Sequence, residues 1–175
     1  MKYSDSFADI TDLLRERHVI LDGGMGTMIQ GYRLEEGDFR DQALANHPQL
    51  LKGNNDLLNI TKPEIIREIH TKYLLAGSDV IETNTFSSTS IAQVDYALEK
   101  YVQDINRAGA RLAKEAVARV KQSQPSRRLF VAGAIGPTNR TASLSPDVNN
   151  PAFRAVTYKQ LEDSYYEQAL VLVEE

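Results

Sequence analysis

The sequence contains no cysteine, and it contains only three histidines in 175 residues. Without thiols, neither a disulfide nor a thiolate metal site can form within the chain. The histidines lie far apart, at positions 18, 47 and 70, which argues against a local metal site of another kind. No apolar run approaches the roughly 20 residues that span a bilayer, and the first residues lack the apolar core of a signal peptide. These absences favour a cytoplasmic protein without a membrane partner.

A strong charge of either sign is also missing, since the formal net charge is -4. No basic stripe with interleaved aromatic residues occurs, which argues against nucleic acid as a partner. The composition, 42% hydrophobic and 25% charged, is that of an ordinary globular protein. A chain of this length is sufficient for one domain with a sizeable core.

Three short apolar segments alternate with helical patterns along the chain. We predict strands at 18–21, 79–85 and 129–135, each followed by a helical crossover. Such alternation, with little sign of hairpins, is typical of a parallel sheet covered by helices. Parallel strands end on one face of their sheet, so we expect the polar residues that follow the three segments to meet there.

The helix boundaries carry local signals. Thr61 predicts the capped start of one helix, and Gly77 predicts its end. A long helical region covers about 90–121, and a break near Asp104 or Gly109 is the alternative. Thr157 and Gln160 form a capping-box pattern that predicts the start of a last helix.

The most informative motif is a glycine-rich turn after the first predicted strand. Asp22 precedes Gly23 and Gly24, and a helical pattern follows. Backbone N–H groups in such a turn can approach an anion closely, while the adjacent carboxylate can bind a cation or an ammonium. The motif therefore fits a zwitterion such as an amino acid. It lacks the third glycine of a dinucleotide fingerprint and the lysine of a phosphate-binding loop, and a tight turn without a ligand is the alternative.

The second predicted strand ends in hydrogen-bonding side chains, namely Glu82, Thr83, Asn84 and Thr85. Because an unpaired buried polar group costs about 1–3 kcal/mol, such a run indicates a binding site. Internal hydrogen bonds that hold a loop in place are the alternative. The Asn-Asn-Asp string at 54–56 fits a binding site and a simple turn equally well.

Three strand–helix units fall short of a closed fold, and the apolar helical pattern stops at Glu175 without a closing signal. A complete (β/α)8 barrel takes roughly 250 residues. We therefore expect an α/β fold that comprises the first three or so β/α units of a (β/α)8 TIM barrel, truncated. In this scheme residues 1–17 form an N-terminal helical extension, and residues 18–175 form the N-terminal portion of the barrel domain.

Four separated strings carry a resemblance to a known family. In one-letter code they are ILDGGMGTM at 20–28, LKGNND at 51–56, AGSDVIETNTFSST at 76–89 and VAGAIGPTN at 131–139. In this order they resemble the N-terminal homocysteine-binding module of the cobalamin-dependent methionine synthases. Betaine-type and S-methylmethionine-type homocysteine methyltransferases are similar in general plan, but the strings at 51–56 and 76–89 favour the cobalamin-dependent enzymes.

The resemblance implies a methyltransferase of methionine biosynthesis. Such an enzyme transfers a methyl group from methylcobalamin, recharged by 5-methyltetrahydrofolate, to homocysteine bound on zinc. Three cysteine thiolates hold the zinc, which makes the substrate thiolate available at neutral pH. The partners implied are the remaining barrel units and the folate- and cobalamin-binding domains.

Carried over to this sequence, the resemblance assigns six residues to the homocysteine pocket. They are Asp22, Gly23, Gly24, Glu82, Thr83 and Asn84. The aspartate fits the substrate ammonium, the two glycines fit backbone donors to the substrate carboxylate, and the last three residues fit the pocket wall.

One departure from the family is plain, because its zinc-binding cysteines lie in later strands and this chain has none. We therefore expect the 175-residue chain alone to hold neither zinc nor methylcobalamin, to contain no catalytic residue, and to be inactive. The alternative is a non-catalytic α/β module that binds an amino acid or an anion.

Overall fold

A computed structural model describes residues 5–175 of the chain. Seven α-helices occur within these residues. They are α1 (Asp5–Glu16), α2 (Met25–Gln30), α3 (Leu58–Thr61), α4 (Pro63–Ala76), α5 (Ser90–Gln93), α6 (Val102–Ser123) and α7 (Tyr158–Glu174). Short 3-10 helices separate α5 from α6, so the helical region predicted at 90–121 is interrupted before Val102, whereas α6 is continuous at Asp104 and Gly109. Within the described residues, no helix combines the length and the apolar character that crossing a membrane requires.

Two short parallel strands form the sheet, β1 (Val80–Glu82) and β2 (Phe130–Ala132). Val80 pairs with Phe130, and Glu82 pairs with Ala132. The second and third predicted strands are confirmed, although both are shorter than the sequence pattern indicated. Because a helical crossover joins the two parallel strands, the α/β class is confirmed as well.

The predicted first strand is wrong as a regular strand. Leu21 forms one parallel bridge with Val80, and the segment 18–21 is otherwise irregular. Ile20 donates its N–H to Oδ2 of Asp79 at 3.0 Å instead of to a strand carbonyl, which interrupts the ladder. Residues 5–175 therefore form two strands where three were predicted, and the predicted barrel units are not confirmed.

One buried carboxylate joins the starts of these three segments. Asp79 is 2% exposed and accepts two 2.7 Å hydrogen bonds from the guanidinium of Arg17. Its own N–H donates to the carbonyl of Ile20 at 2.8 Å, and its carbonyl accepts the N–H of Phe130 at 2.8 Å. The hydrogen bond from Arg17 holds the pKa of Asp79 below its ordinary value. The three segments consequently begin at the same level.

The hydrophobic core lies where α6 packs on α4 and on the sheet. One cluster of buried side chains includes Ile66 and Ile69 of α4 and Ile105 of α6. A second cluster joins Ile81 of β1 to Val120 near the end of α6. Neither cluster includes the polar residues that follow β1, although Thr83, Asn84 and Thr85 are themselves buried.

The helix boundaries confirm two sequence signals and correct a third. Thr157 forms the predicted capping box at the start of α7, and Gly77 ends α4 with a left-handed φ of 119°. The predicted cap by Thr61 is wrong, since α4 begins at Pro63 and Lys62 caps it without a side-chain hydrogen bond. Proline disfavours the α conformation at the residue before it, so α3 ends at Thr61 and α4 begins separately.

The Asp79 cluster yields a prediction about stability. Asp79→Ala removes the carboxylate that accepts hydrogen bonds from the half-exposed Arg17 guanidinium and from the Ile20 N–H, and the loss of hydrogen bonds to a charged group costs about 2 kcal/mol. We expect urea denaturation at neutral pH to show a loss of this order in the free energy of unfolding. Because the folded protein lowers the pKa of Asp79, this loss should be complete at neutral pH. It should fade as the pH falls from 3.8 through the lower pKa of the folded state, where the wild-type carboxylate becomes protonated.

Asp163→Ala is the matched control for this experiment. Asp163 pairs with Lys159 on the surface, where the two side chains are 62% and 71% exposed. Such a pair contributes at most about 1 kcal/mol. Equal destabilisation by the two substitutions would contradict the role of Asp79.

Candidate functional site

A cavity of about 840 Å³ opens at the carboxyl ends of the two strands. Its wall consists of the glycine-rich turn, a loop before α3, the residues after β1 and the residues after β2. The lining residues are Asp22, Gly23, Gly24, Met25, Gly26, Gly53, Asn54, Asn55, Asp56, Glu82, Thr83, Asn84, Phe86, Ser87, Ala92, Asp95, Tyr96, Ala134, Pro137, Thr138 and Asn139. The structure thus brings all six residues assigned from the sequence to one cavity, and the prediction that the polar strand ends meet on one face is confirmed.

The glycine-rich turn has backbone donors that the protein itself does not use. The N–H groups of Gly23 and Gly24 have no acceptor among the described residues. Packing within the protein does not explain the glycine at position 23. A Cβ there would lie 3.5 Å from the hydroxyl of Tyr73, which is an ordinary van der Waals distance. Gly136 differs, because a Cβ there would lie 2.5 Å from the carbonyl oxygen of Phe86. Gly23 and Gly24 are both exposed, so a ligand can approach the backbone of the turn closely.

Asp22 carries the most unusual carboxylate of the site. Its Oδ2 accepts the N–H of Glu82 at 3.1 Å, whereas its Oδ1 is buried and has no hydrogen-bond partner. The pKa of Asp22 is raised from 3.8 to about 6, chiefly by burial. The hydrogen bond from the Glu82 N–H lowers this pKa, and the negative charge of Glu82 raises it. Burial of a carboxylate oxygen without a hydrogen-bond donor is energetically unfavourable. Oδ1 of Asp22 is therefore suited to accept a hydrogen bond from a ligand.

The three residues at the end of β1 differ in what their side chains do. Glu82 is exposed, and among the described residues it has no basic partner. The hydroxyl of Thr83 accepts the N–H of Ala134 at 2.9 Å. The amide of Asn84 donates to the carbonyl of Asn55 at 2.8 Å. For Thr83 and Asn84, the internal hydrogen bonds that the sequence left open as an alternative are therefore present, and Glu82 alone keeps a free side chain.

The loop at 53–56 belongs to the cavity wall, and it was not among the assigned site residues. Asp56 is 5% exposed, and its Oδ2 accepts the N–H of Ser87 at 2.6 Å and the hydroxyl of Ser88 at 2.8 Å. Burial raises the pKa of Asp56 to about 6. The sequence signal was the polar string at 54–56, but nothing local to that string indicates that it meets Ser87 and Ser88.

The cavity lining contains four carboxylates and no basic side chain. Only Asp95 has an ionic partner among the described residues, Arg140 at 2.8 Å. Asp22, Asp56 and Glu82 have none. Such a lining attracts a cationic or zwitterionic ligand and repels an anionic one, because uncompensated charge in a cleft sets the local potential.

The residues present do not fit the three-thiolate zinc site that the resemblance implies. The chain contains no cysteine. Residues 5–175 contain no group of three histidine, aspartate or glutamate side chains that could hold a metal ion. No histidine lines the cavity, and His70 is fully buried in α4, where desolvation lowers its pKa to about 4. This chain therefore does not supply the ligands of that metal.

Comparison with known proteins identifies the family. The sequence model of homocysteine S-methyltransferase matches residues 19–175. Among solved structures, the homocysteine methyltransferase MmuM from Escherichia coli is similar in its metallated form, with a TM-score of 0.67 and 20% identity, over 93% of this chain and 52% of that one. Its oxidized form gives a TM-score of 0.68 and 21% identity, over 93% and 51% of the two chains.

At this identity the likeness to MmuM shows the fold alone, an α/β arrangement that matches a TIM-barrel-type methyltransferase domain. The chain spans about half the length of these structures. The family match covers almost all of the described residues. The chain belongs to the homocysteine S-methyltransferase family.

Proposed function

We propose that the cavity binds the amino-acid end of homocysteine and that the chain is part of an enzyme that methylates homocysteine to methionine. One observation carries the proposal: the buried Oδ1 of Asp22 has no donor, and the adjoining N–H groups of Gly23 and Gly24 have no acceptor. A zwitterionic amino acid satisfies both needs at once. Its ammonium donates to Asp22, and its carboxylate accepts from the two glycines.

The end of β1 completes the proposed pocket. Glu82 supplies a second negative charge near the proposed ammonium site, since its charge acts on Asp22 and raises the pKa of that residue. Thr83 and Asn84 form the wall, and their internal hydrogen bonds keep it in shape. The absence of basic side chains from the lining supports a zwitterion, because a polyanion would find no cation to neutralise it.

We infer that the methyl donor is methylcobalamin, recharged by 5-methyltetrahydrofolate, as in the cobalamin-dependent methionine synthases. The support is the resemblance of the strings at 51–56 and 76–89 to those enzymes. No residue of this chain fits the zinc expected of the family, so we assign only the amino-acid end of the substrate to it. Further barrel units and the folate- and cobalamin-binding domains are the proposed partners.

The division into an extension at 1–17 and a barrel portion at 18–175 is likewise a proposal. The family match begins at residue 19, and α1 ends at Glu16, which supports a boundary between them.

The 175-residue chain by itself is expected neither to retain zinc nor to form methionine, because it contains no thiolate ligand. The metal content after dialysis, measured by atomic emission, tests the first statement. Incubation with homocysteine and methylcobalamin, followed by detection of methionine, tests the second. About one zinc ion per chain, as a structural or catalytic site holds, or measurable methionine formation would contradict this prediction.

Asp22→Asn is expected to weaken homocysteine binding about 10- to 100-fold, because a hydrogen bond to a charged group contributes about 1.5–3 kcal/mol. Isothermal titration calorimetry measures the affinity. The surface substitution Asp163→Asn is the protein control. The deamino analogue 4-mercaptobutanoate is the ligand control, since it lacks the ammonium and its affinity should not fall in Asp22→Asn. Unchanged homocysteine affinity in Asp22→Asn would remove this residue from the site.

The same substitution is expected to stabilise the ligand-free protein at neutral pH. The pKa of Asp22 is about 6 in the folded chain and 3.8 in the unfolded chain, so ionisation above pH 6 disfavours folding. After allowance for solvent screening, removing the charge should raise the free energy of unfolding by about 1 kcal/mol. The gain should vanish below about pH 4, where both states are protonated. A variant that is less stable than wild type at both pH values would contradict this account.

A further inference from the structure

A buried asparagine outside the cavity is hydrogen-bonded to the end of β1. Asn59 lies in α3, is 2% exposed and does not line the cavity. Its Nδ2 donates to the carbonyl of Asn84 at 2.7 Å and to the carbonyl of Ile105 at 3.1 Å. Its Oδ1 accepts from Nδ2 of Asn84 at 3.0 Å. Asn59 therefore contacts both the backbone and the side chain of Asn84, which fixes the orientation of that amide.

Asn84 extends this arrangement to the cavity wall. The Nδ2 atom that donates to Asn59 also donates to the carbonyl of Asn55 at 2.8 Å. Both Asn84 and Asn55 line the cavity, one on the segment after β1 and the other on the loop at 53–56. One amide thus joins two separate segments of the wall, and a rotation of this amide would separate them.

Helix α6 leaves room for the asparagine pair at one position. A Cβ on Gly109 would lie 2.7 Å from Nδ2 of Asn59 and 2.6 Å from Cγ2 of Thr85, closer than real Cβ atoms approach other atoms. Gly109 lies in the middle of a continuous helix, where glycine is unfavourable compared with alanine. The space taken by Asn59 and Thr85 accounts for a glycine at this position.

We propose that Asn59 is a positioning residue of the homocysteine site, which holds Asn84 and, through it, the loop at 53–56 in the arrangement that binds the ligand. This inference rests on the proposed function. Asn59 does not touch the ligand; it acts by keeping the two wall segments at a fixed separation. Because the amide of Asn59 donates to two carbonyls, an isosteric carboxylate cannot replace it.

Three variants test the role of Asn59 by titration of homocysteine. Asn59→Asp keeps the shape of the side chain but removes its hydrogen-bond donors, and Asn59→Ala removes the side chain beyond Cβ. In Gly109→Ala, the new methyl group on α6 pushes the Asn59 amide out of its position. Each should weaken homocysteine binding by about tenfold or more, because misplacement of a binding group loses its hydrogen bonds. If Asn59→Ala does not fold, Gly109→Ala carries the test, since it keeps the Asn59 side chain in the protein and only shifts its position.

Two controls separate positioning from general destabilisation. Gly37→Ala is the matched glycine control, because a Cβ at Gly37 would have no atom within 4 Å. Val120→Ala removes buried methyl groups in the second core cluster, away from the cavity. Both should change homocysteine affinity by no more than about twofold. If the Asn59 and Gly109 variants lose thermal stability but bind homocysteine as tightly as Val120→Ala does, the inference is overturned.

If the proposed function is wrong, the titration gives a different result. In that case wild-type protein does not bind homocysteine, and amide hydrogen exchange decides the role of Asn59. The variants should then accelerate exchange of the amides at 54–57 and 84–88 by about tenfold relative to those of β1, β2 and α6. Uniform acceleration, or none, would overturn the inference.

Discussion

The ionic hydrogen bonds of Asp79 are the interaction on which the rest of the structure depends. One carboxylate binds the Arg17 guanidinium and the N–H of Ile20, while the backbone of Asp79 binds Ile20 and Phe130. Three chain segments therefore begin at a common level and run parallel. Short parallel segments that begin together also end together, so the glycine-rich turn and the two strand ends meet at the opposite side of the sheet. The cavity follows from this alignment.

At that opposite side, the protein carries charge that its own residues do not compensate. Asp22 and Asp56 are both desolvated, and neither has a basic partner among the described residues. Their ionisation at neutral pH lowers stability, which the apolar contacts between α4 and α6 offset. Functional sites commonly contain such locally unfavourable groups, because a ligand supplies the missing partner. For this chain, we propose the ammonium of an amino acid as that partner.

Local sequence patterns predicted much of this arrangement. The features that depend on contacts between distant parts of the sequence could not be predicted. The acid and glycines of the turn and the polar end of the second strand were visible because each lies within a few consecutive residues. The role of the loop at 53–56 depends on Ser87 and Ser88, more than 30 residues away, so no periodicity reveals it. The strand expected at 18–21 was wrong because a side chain, Asp79, replaced a strand carbonyl as the acceptor for Ile20.

The central claim is that the carboxylate of Asp22 binds the ammonium of homocysteine. Carbon-13 NMR of the Asp22 carboxyl group, titrated with pH in the absence and presence of saturating homocysteine, tests this contact directly. In the free protein the pKa of Asp22 should be about 6, because the group is desolvated. With homocysteine bound, a cation in contact with the carboxylate should lower this pKa by one unit or more. An unchanged pKa in protein saturated with homocysteine would contradict the claim.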